Sequence, residues 1–431
     1  MPEQNLPNRA DVVIIGGGIM GAASAWYLAQ RGLSVVVCEK GRVAGEQSSR
    51  NWGFVRQQGR DPAEIPLMME SNRIWRTLER DLNADLEWTV GGNLVCFQSG
   101  DERATFERWQ GIAAQHGLQS RLVSTSDMQQ IVPDSQLGSL GGIFTDSDGH
   151  AEPEKVTLAL QRAAEGRGAQ FLTDCAVFGV ETAAGRVSGV ETEHGPIRAP
   201  TVVLACGAWT SRMLAHLGHR FPQVWITGSV ARTTAAPPIA RAATWAGVAF
   251  RQRHDGTMNI ATRSADHDLT VESLLFGRVF LDDYRKHGRN LRLRFGRTSV
   301  SLSLGRYSTA ALRRELTGFR TLDPAPNRRQ LDDVLRRLIQ AVPATSGIRI
   351  DRAWGGYIDM TPDMLPVIDT LDRPDGLVVA SGFSGHGFGM GPVVGRLVSE
   401  IIADGQPSLD LHAFRFSRFA EDGPLTSDTV I

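Results

Sequence analysis

Apolar residues along the chain fall into three patterns. Short continuous runs at 12–15, 35–37, 201–205 and 376–380 read as strands buried on both faces of a parallel sheet. Helical spacing predicts helices over 19–30, 64–82, 102–117, 153–164 and 323–342, and another from the glycine-rich stretch after 381 through Ile402. Pro153 suits a first helical turn, with Glu152 and Glu154 at its positive end. Strand-like patterning marks 87–97, 170–180, 186–191 and 220–262. The last contains Pro237 and Pro238 and reads as antiparallel strands.

The run at 12–15 leads into Gly16, Gly18 and Gly21, then a helical stretch, then the run at 35–37 and Glu39. This is a strand–helix–strand unit for a dinucleotide. Gly16 permits the tight turn, Gly18 lets backbone approach a pyrophosphate, and Gly21 lets helix and strand pack closely. The anion would sit at the helix N-terminus, and Glu39 is placed to accept a ribose hydroxyl. The fold class is therefore α/β (α+β overall). A Rossmann-like dinucleotide domain occupies discontinuous segments, 1–62, 145–218 and 350–415, and a mostly antiparallel substrate domain occupies 63–144 and 219–349.

Charge changes the picture little. The formal net charge is −1, so no nucleic-acid partner is implied. Only Lys40, Lys155 and Lys286 are lysines, so nearly all basic charge is Arg. Cys38, Cys96, Cys175 and Cys206 form no CxxC pair and read as reduced thiols, not disulfides or metal ligands; no metal site is expected. The start shows no signal-peptide pattern and no apolar run is long enough to span a bilayer, so a cytoplasmic location is expected.

Five stretches resemble one family. They are GGGIMG through EK at 16–40, GHAEPEKVTLAL at 149–160, VVLACGAW at 202–209, WGGYIDMTPDMLPVID at 354–369 and SGFSGHGFGMGPVVG at 381–395. In that order they are similar to the amine-oxidising flavoproteins that include D-amino acid oxidase, glycine oxidase and sarcosine oxidase. SSRNWGFVR at 48–56 and the WGGYIDMTPD form look most like the sarcosine oxidase beta subunit, and like the opine oxidase and hydroxyproline dehydrogenase branch. The resemblance implies FAD at the glycine-rich site, held by Gly16, Gly18, Ile19, Met20, Gly21, Glu39 and Lys40. It implies that Ser48, Ser49, Arg50 and Asn51 line the pyrophosphate-to-flavin side, with Val177 at the adenine end and Gly207 in the cofactor wall. Gly382, Gly385, Gly387, Phe388 and Gly389 would belong to a loop covering the isoalloxazine edge. A glycine-rich loop feeding a helix presents backbone N–H groups to the charge of a reduced flavin.

The implied reaction oxidises a carbon bearing an amine, giving an imine that water hydrolyses. The substrate is a small amine or amino acid, and a carboxylate on it calls for Arg, whose planar fork binds carboxylate bidentately. Arg56 stands where the sarcosine oxidase beta subunit has its substrate-facing Arg, with Arg60 and Arg263 in reserve. Tyr357 and His386 are the candidates for polar contact near the reacting centre.

Four departures from the family pattern narrow the reading. Ile358 and Asp359 replace the Arg that many D-amino acid and glycine oxidising members carry, which favours secondary amines and bulkier N-substituted amino acids. Asp359 would favour a cationic group or face solvent. Gly389 stands where monomeric sarcosine oxidases place a lysine. Gly355 and Gly356 precede Tyr357 where those enzymes have the flavin-linking Cys, so the FAD is expected to be non-covalent. No lysine falls in the substrate sheet, which tilts the expected electron acceptor from O₂ toward a quinone or other acceptor, with Arg263 or His267 supplying positive charge.

The insertion at 271–304 mixes Arg with apolar residues. It suits a peripheral contact with the inner membrane, a subunit interface, or a solvated helix, although its LRLRF alternates like a strand. Two alternatives stay open: a D-amino acid or 2-hydroxy acid dehydrogenase, and a flavin subunit of a hetero-oligomeric oxidase.

Overall fold

In the computed structural model, which describes residues 6–137, 140–239, 242–288 and 291–430, the strand Val12–Ile15 is the centre of a six-stranded sheet. Val35–Cys38 and Thr201–Leu204 flank it in parallel, Gln170–Leu172 and Leu377–Ser381 extend it in parallel, and Val367–Leu371 closes one edge antiparallel. Successive residues of the central strand point to opposite faces, and both faces are covered. Val12 and Ile14 pack with the helices Ile19–Gln30, Glu64–Leu82, Pro153–Glu165 and Gly387–Asp404. Val13 and Ile15 pack with a small antiparallel sheet of Val177–Ala183, Arg186–Thr192 and Gly195–Arg198. A strand buried on both sides has no polar face, which is why these runs are continuously apolar.

The second layer is a mostly antiparallel ten-stranded sheet, with Ala242–Trp245 parallel to Asn93–Cys96 and Leu291–Arg294 parallel to Ala265–Asp268. The amphipathic helix Arg328–Ala341 lays Leu331, Val334 and Leu338 against it. That helix starts later than periodicity alone predicts. Pro324 and Pro326 precede it, and the Asn327 side chain accepts the Gln330 N–H at 3.3 Å as its cap.

The domain division moves at two places. The Glu64–Leu82 helix buries Leu67, Met68, Trp75 and Leu78 in the core of the parallel-sheet layer, because its apolar stripe meets the Gly387–Asp404 helix. Ile350–Met360 pairs antiparallel with Val224–Thr233 and so belongs to the ten-stranded sheet. Its C-terminal end carries Tyr357 and Asp359 to the seam between the two layers, since the chain then turns into Val367–Leu371. The expected strand at 170–180 is two strands in two different sheets.

The insertion contains three short helices, Val271–Phe276, Leu281–His287 and Arg297–Ser301, and the strand Leu291–Arg294 among its described residues. Alternation explains its mixed composition. Arg292 and Arg294 both reach the Asp266 carboxylate, at 2.8 and 3.2 Å, while Leu291 and Leu293 line the main cavity. Leu274, Phe295 and Tyr307 are 81%, 78% and 67% exposed.

Candidate active site

Each glycine of the first turn has its own steric cause. Gly16 has φ +111°, and a Cβ there would lie 2.4 Å from the Ala205 carbonyl oxygen. A Cβ at Gly21 would lie 2.0 Å from the Gly16 carbonyl, so helix and strand can approach only through glycine. Gly18 caps the Ile19–Gln30 helix with no side chain, and the Ser48 hydroxyl accepts the Ile19 N–H at 2.8 Å. Glu39 accepts the Gly17 and Gly41 N–H groups, each at 2.8 Å. Burial raises its pKa, and neighbouring Glu46 adds to the rise. Each carboxylate oxygen has a second lone pair to offer a hydroxyl.

These groups open into a cavity of about 580 Å³, within the usual range for a ligand site. Its wall runs from Glu39 and Val177 past Ser48, Arg50, Asn51 and Gly207 to Tyr357, Arg56 and the loop from Gly385 to Phe388. Ile19, Met20 and Lys40 also line it. The residues fit a dinucleotide cofactor. The glycine cradle leaves no room for a Cβ, the helix N-terminus has no side-chain cap of its own, and buried Arg50 Nε has no partner among the described residues.

Four of the expected cofactor residues also make framework contacts. Lys40 gives its ammonium to Glu46 and to the carbonyls of Phe319 and Arg320. Ser49 donates to the Glu46 carbonyl at 3.2 Å. The Gly382 N–H is taken by the Asp359 carboxylate at 2.9 Å. Gly389 lies beyond the cavity wall. Its carbonyl accepts Ser71 Oγ–H and Trp75 Nε1–H, and a Cβ there would sit 2.9 Å from Met68 Cε. Only the end of the Met68 side chain would have to shift to admit a Cβ at 389.

At the other end Arg56, Arg60 and Arg263 line the same cavity. Burial, then Arg60 and Arg263, lower the Arg56 pKa to about 9. Burial also pushes Arg60 and Arg263 down. Arg60 Nη1 is buried with no partner among the described residues. Arg60 and Arg263 disfavour the Arg56 charge while Asp148 and Glu64 favour it, and the buried, unpartnered Arg60 Nη1 beside Arg56 suits an anion. His386 stands in the wall with Nδ1 3.0 Å from both oxygens of Glu64, and burial, then Arg60, lower its pKa to about 4. Tyr357 packs on Trp225 with ring centres 5.5 Å apart, and burial raises its pKa to about 12.

Of the two expectations for Asp359, the solvent-facing one fails, while the residue does line the cavity. It is 3% exposed and accepts from Gln47 Nε2 at 2.7 Å, the Gly382 N–H at 2.9 Å and Gln223 Nε2 at 3.2 Å. It is a buried bracket joining the seam to the C-terminal loop, not a solvent-facing group. Sequence reasoning missed Gln47, Gln223 and Glu64. No local pattern could reveal Glu64, because its partner lies 322 residues away.

The chain matches known proteins over almost its whole length. The family described as DAO, FAD dependent oxidoreductase, matches residues 11–401. The sarcosine oxidase subunit beta of Rhizobium meliloti (strain 1021) is 26% identical over 416 residues, covering 95% of this chain and 88% of that protein. Human mitochondrial sarcosine dehydrogenase is 25% identical over 97% of this chain, which spans 42% of the length of that relative. Among solved structures, L-amino acid deaminase from Proteus myxofaciens in complex with anthranilate superposes with a TM-score of 0.91 at 29% identity, covering 97% of this chain and 95% of the other. L-proline dehydrogenase from P. horikoshii superposes with a TM-score of 0.79 at 25% identity, covering 96% and 99%.

Proposed function

The chain belongs to the FAD dependent oxidoreductase family that acts on amines and amino acids, and from that premise we propose that it oxidises the C–N bond of an N-substituted amino acid. The observation that carries the reading is the convergence of Arg56, Arg60 and Arg263 on the cavity that also holds His386 and Tyr357. A substrate carboxylate on Arg56 would be held by charge-assisted hydrogen bonds worth about 1.5–3 kcal/mol. The apolar wall from Ile226, Phe280, Leu291 and Met364 suits a sizeable apolar substituent.

Bound FAD supplies the two-electron acceptor, and it is dissociable in this reading. The residue before Tyr357 is Gly356, and burial raises the pKa of the Cys206 thiol, which donates to the Ile15 carbonyl at 3.4 Å. The chain's own residues bind, orient and keep water out. A substrate ammonium resembling Lys, of pKa about 10.4, costs about 4–5 kcal/mol to neutralise near pH 7. Desolvation and three neighbouring guanidiniums lower that cost.

A primary α-amino acid is the second reading, favoured by the likeness to the L-amino acid deaminases. The exposed Leu274 and Phe295 of the insertion support peripheral contact with a membrane and a quinone-type acceptor, while the beta-subunit relatives support a hetero-oligomer. The test is anaerobic bleaching of the FAD-loaded protein by N-alkyl amino acids, opines, hydroxyproline isomers, and L- and D-amino acids. Bleaching by N-substituted amino acids upholds the first reading, and bleaching only by primary amino acids selects the second. Bleaching by 2-hydroxy acids alone removes both.

A further inference from the structure

Glu64 has no place in the chemistry described so far, yet it is fully buried against a wall residue of the cavity. It lies in the first turn of the Glu64–Leu82 helix, where the helix dipole favours negative charge. Glu64 is outside the cavity lining, whereas His386 is part of it. The imidazole therefore turns its Nδ1 edge away from the cavity and toward Glu64. The side-chain hydrogen bonds of His386 run from Nδ1 to the two oxygens of Glu64. A carboxylate only accepts, so the proton of the neutral ring sits on Nδ1 and the lone pair on Nε2.

The charged groups acting on His386 are Arg60, Arg56 and Glu64. With the anion site empty, burial and the two guanidiniums keep the ring neutral. A carboxylate bound between Arg56 and Arg60 adds one negative charge, which offsets about half of theirs and, with the field of Glu64, strengthens Nε2 as a base.

We propose that Glu64 is a positioning residue that sets the His386 tautomer, so that Nε2 accepts the ammonium proton of an amino acid whose carboxylate occupies the Arg56–Arg60 site. The step moves one proton and no electrons. An N–H bond of the ammonium breaks, an Nε2–H bond forms, the substrate nitrogen keeps its electron pair, and the imidazolium is paired with Glu64. The inference rests on the functional reading above and makes base strength depend on substrate occupancy.

The experiment uses FAD-loaded protein carrying ¹⁵N-labelled histidine, with benzoate as a carboxylate probe that cannot be oxidised. His386 signals are assigned by their loss in His386→Asn. The expected result is a proton on Nδ1 in the free protein and a rise of at least about tenfold in His386 proton affinity when benzoate binds. Glu64→Gln should lower His386 proton affinity about tenfold or more in both the free and the benzoate-bound protein and slow anaerobic flavin reduction at pH 7 by about 10- to 100-fold, with KM changed little. Its rate should then climb with pH toward the amine's own pKa of about 10, as only substrate already neutral in solution reacts. A proton on Nε2 in the parent protein overturns the proposal. So does a Glu64→Gln variant with the parent's rate and pH profile. If no amine reduces the flavin, the functional reading fails while tautomer and benzoate titration still decide the part of Glu64. They decide it equally if Glu64→Gln does not fold.

Discussion

At one end of the cavity Gly16, Gly18 and Glu39 come from a single short stretch; at the other, Arg56, Arg263 and His386 come from three distant parts of the chain. The first end recognises its ligand mainly with backbone. Its specificity is steric, set by contacts such as the 2.0 Å that would separate a Cβ at Gly21 from the Gly16 carbonyl. The second end recognises with buried charge, and its groups perturb one another, as Arg60 does both Arg56 and His386. Backbone cradles tolerate changes of pH and fail on added volume. Charge clusters tolerate volume and answer to pH.

The sharpest way to break this contrast is Gly21→Ala. The added Cβ forces helix and strand apart, and overpacking of this kind costs about 1–3 kcal/mol or more. The purified variant should carry little flavin, read as the ratio of flavin to protein absorbance. Full flavin content would show that the close approach is dispensable.

The charged end should respond to pH, with two groups acting in opposite senses. Asp148, buried beside Arg56, has its pKa raised by burial to about 6 from 3.8. Between those values the folded state holds a proton that the unfolded chain gives up, so this group lowers stability as pH rises. His386, lowered to about 4 from 6.5, is neutral in the folded state where the unfolded chain binds a proton, so its contribution to stability rises with pH across that window. The parent protein should therefore show only a shallow dependence from this pair. Asp148→Asn should uncover a rise of about 3 kcal/mol between pH 4 and 6.5, and His386→Gln a fall of similar size between pH 4 and 6. Urea unfolding at a series of pH values measures both; slopes unchanged in both variants would mean that these groups titrate normally.

Arg56→Ala should retain FAD and weaken a carboxylate substrate by about 1.5–3 kcal/mol, a tenfold or larger rise in KM. An amine lacking a carboxylate is the control, and an equal loss with that amine would assign Arg56 to the framework. The smallest effect is expected of Tyr357→Phe. The ring packing on Trp225 is kept, so stability should stay within about 0.5 kcal/mol by thermal unfolding. A larger loss would reveal that the hydroxyl is held in the folded protein.

The backbone-built end was legible from the sequence by itself, and so was the parallel sheet. Gly16, Gly18, Gly21 and Glu39 act within one local unit, and strands buried on both faces must be apolar throughout. Local spacing and buried-face periodicity are properties a chain displays before it folds. The tertiary structure decided the rest. It placed the Glu64–Leu82 helix in the parallel-sheet core, turned Asp359 inward between Gln47 and Gln223, filled the space at Gly389 with Met68, and set Glu64 against His386. Arg56, Arg60 and Arg263 were visible as candidates, but only folding brought Arg263 to the other two. Long-range contacts carry no periodicity of their own. Which charges share a cavity, and which glycine is filled by a neighbour, depend on how two sheets meet.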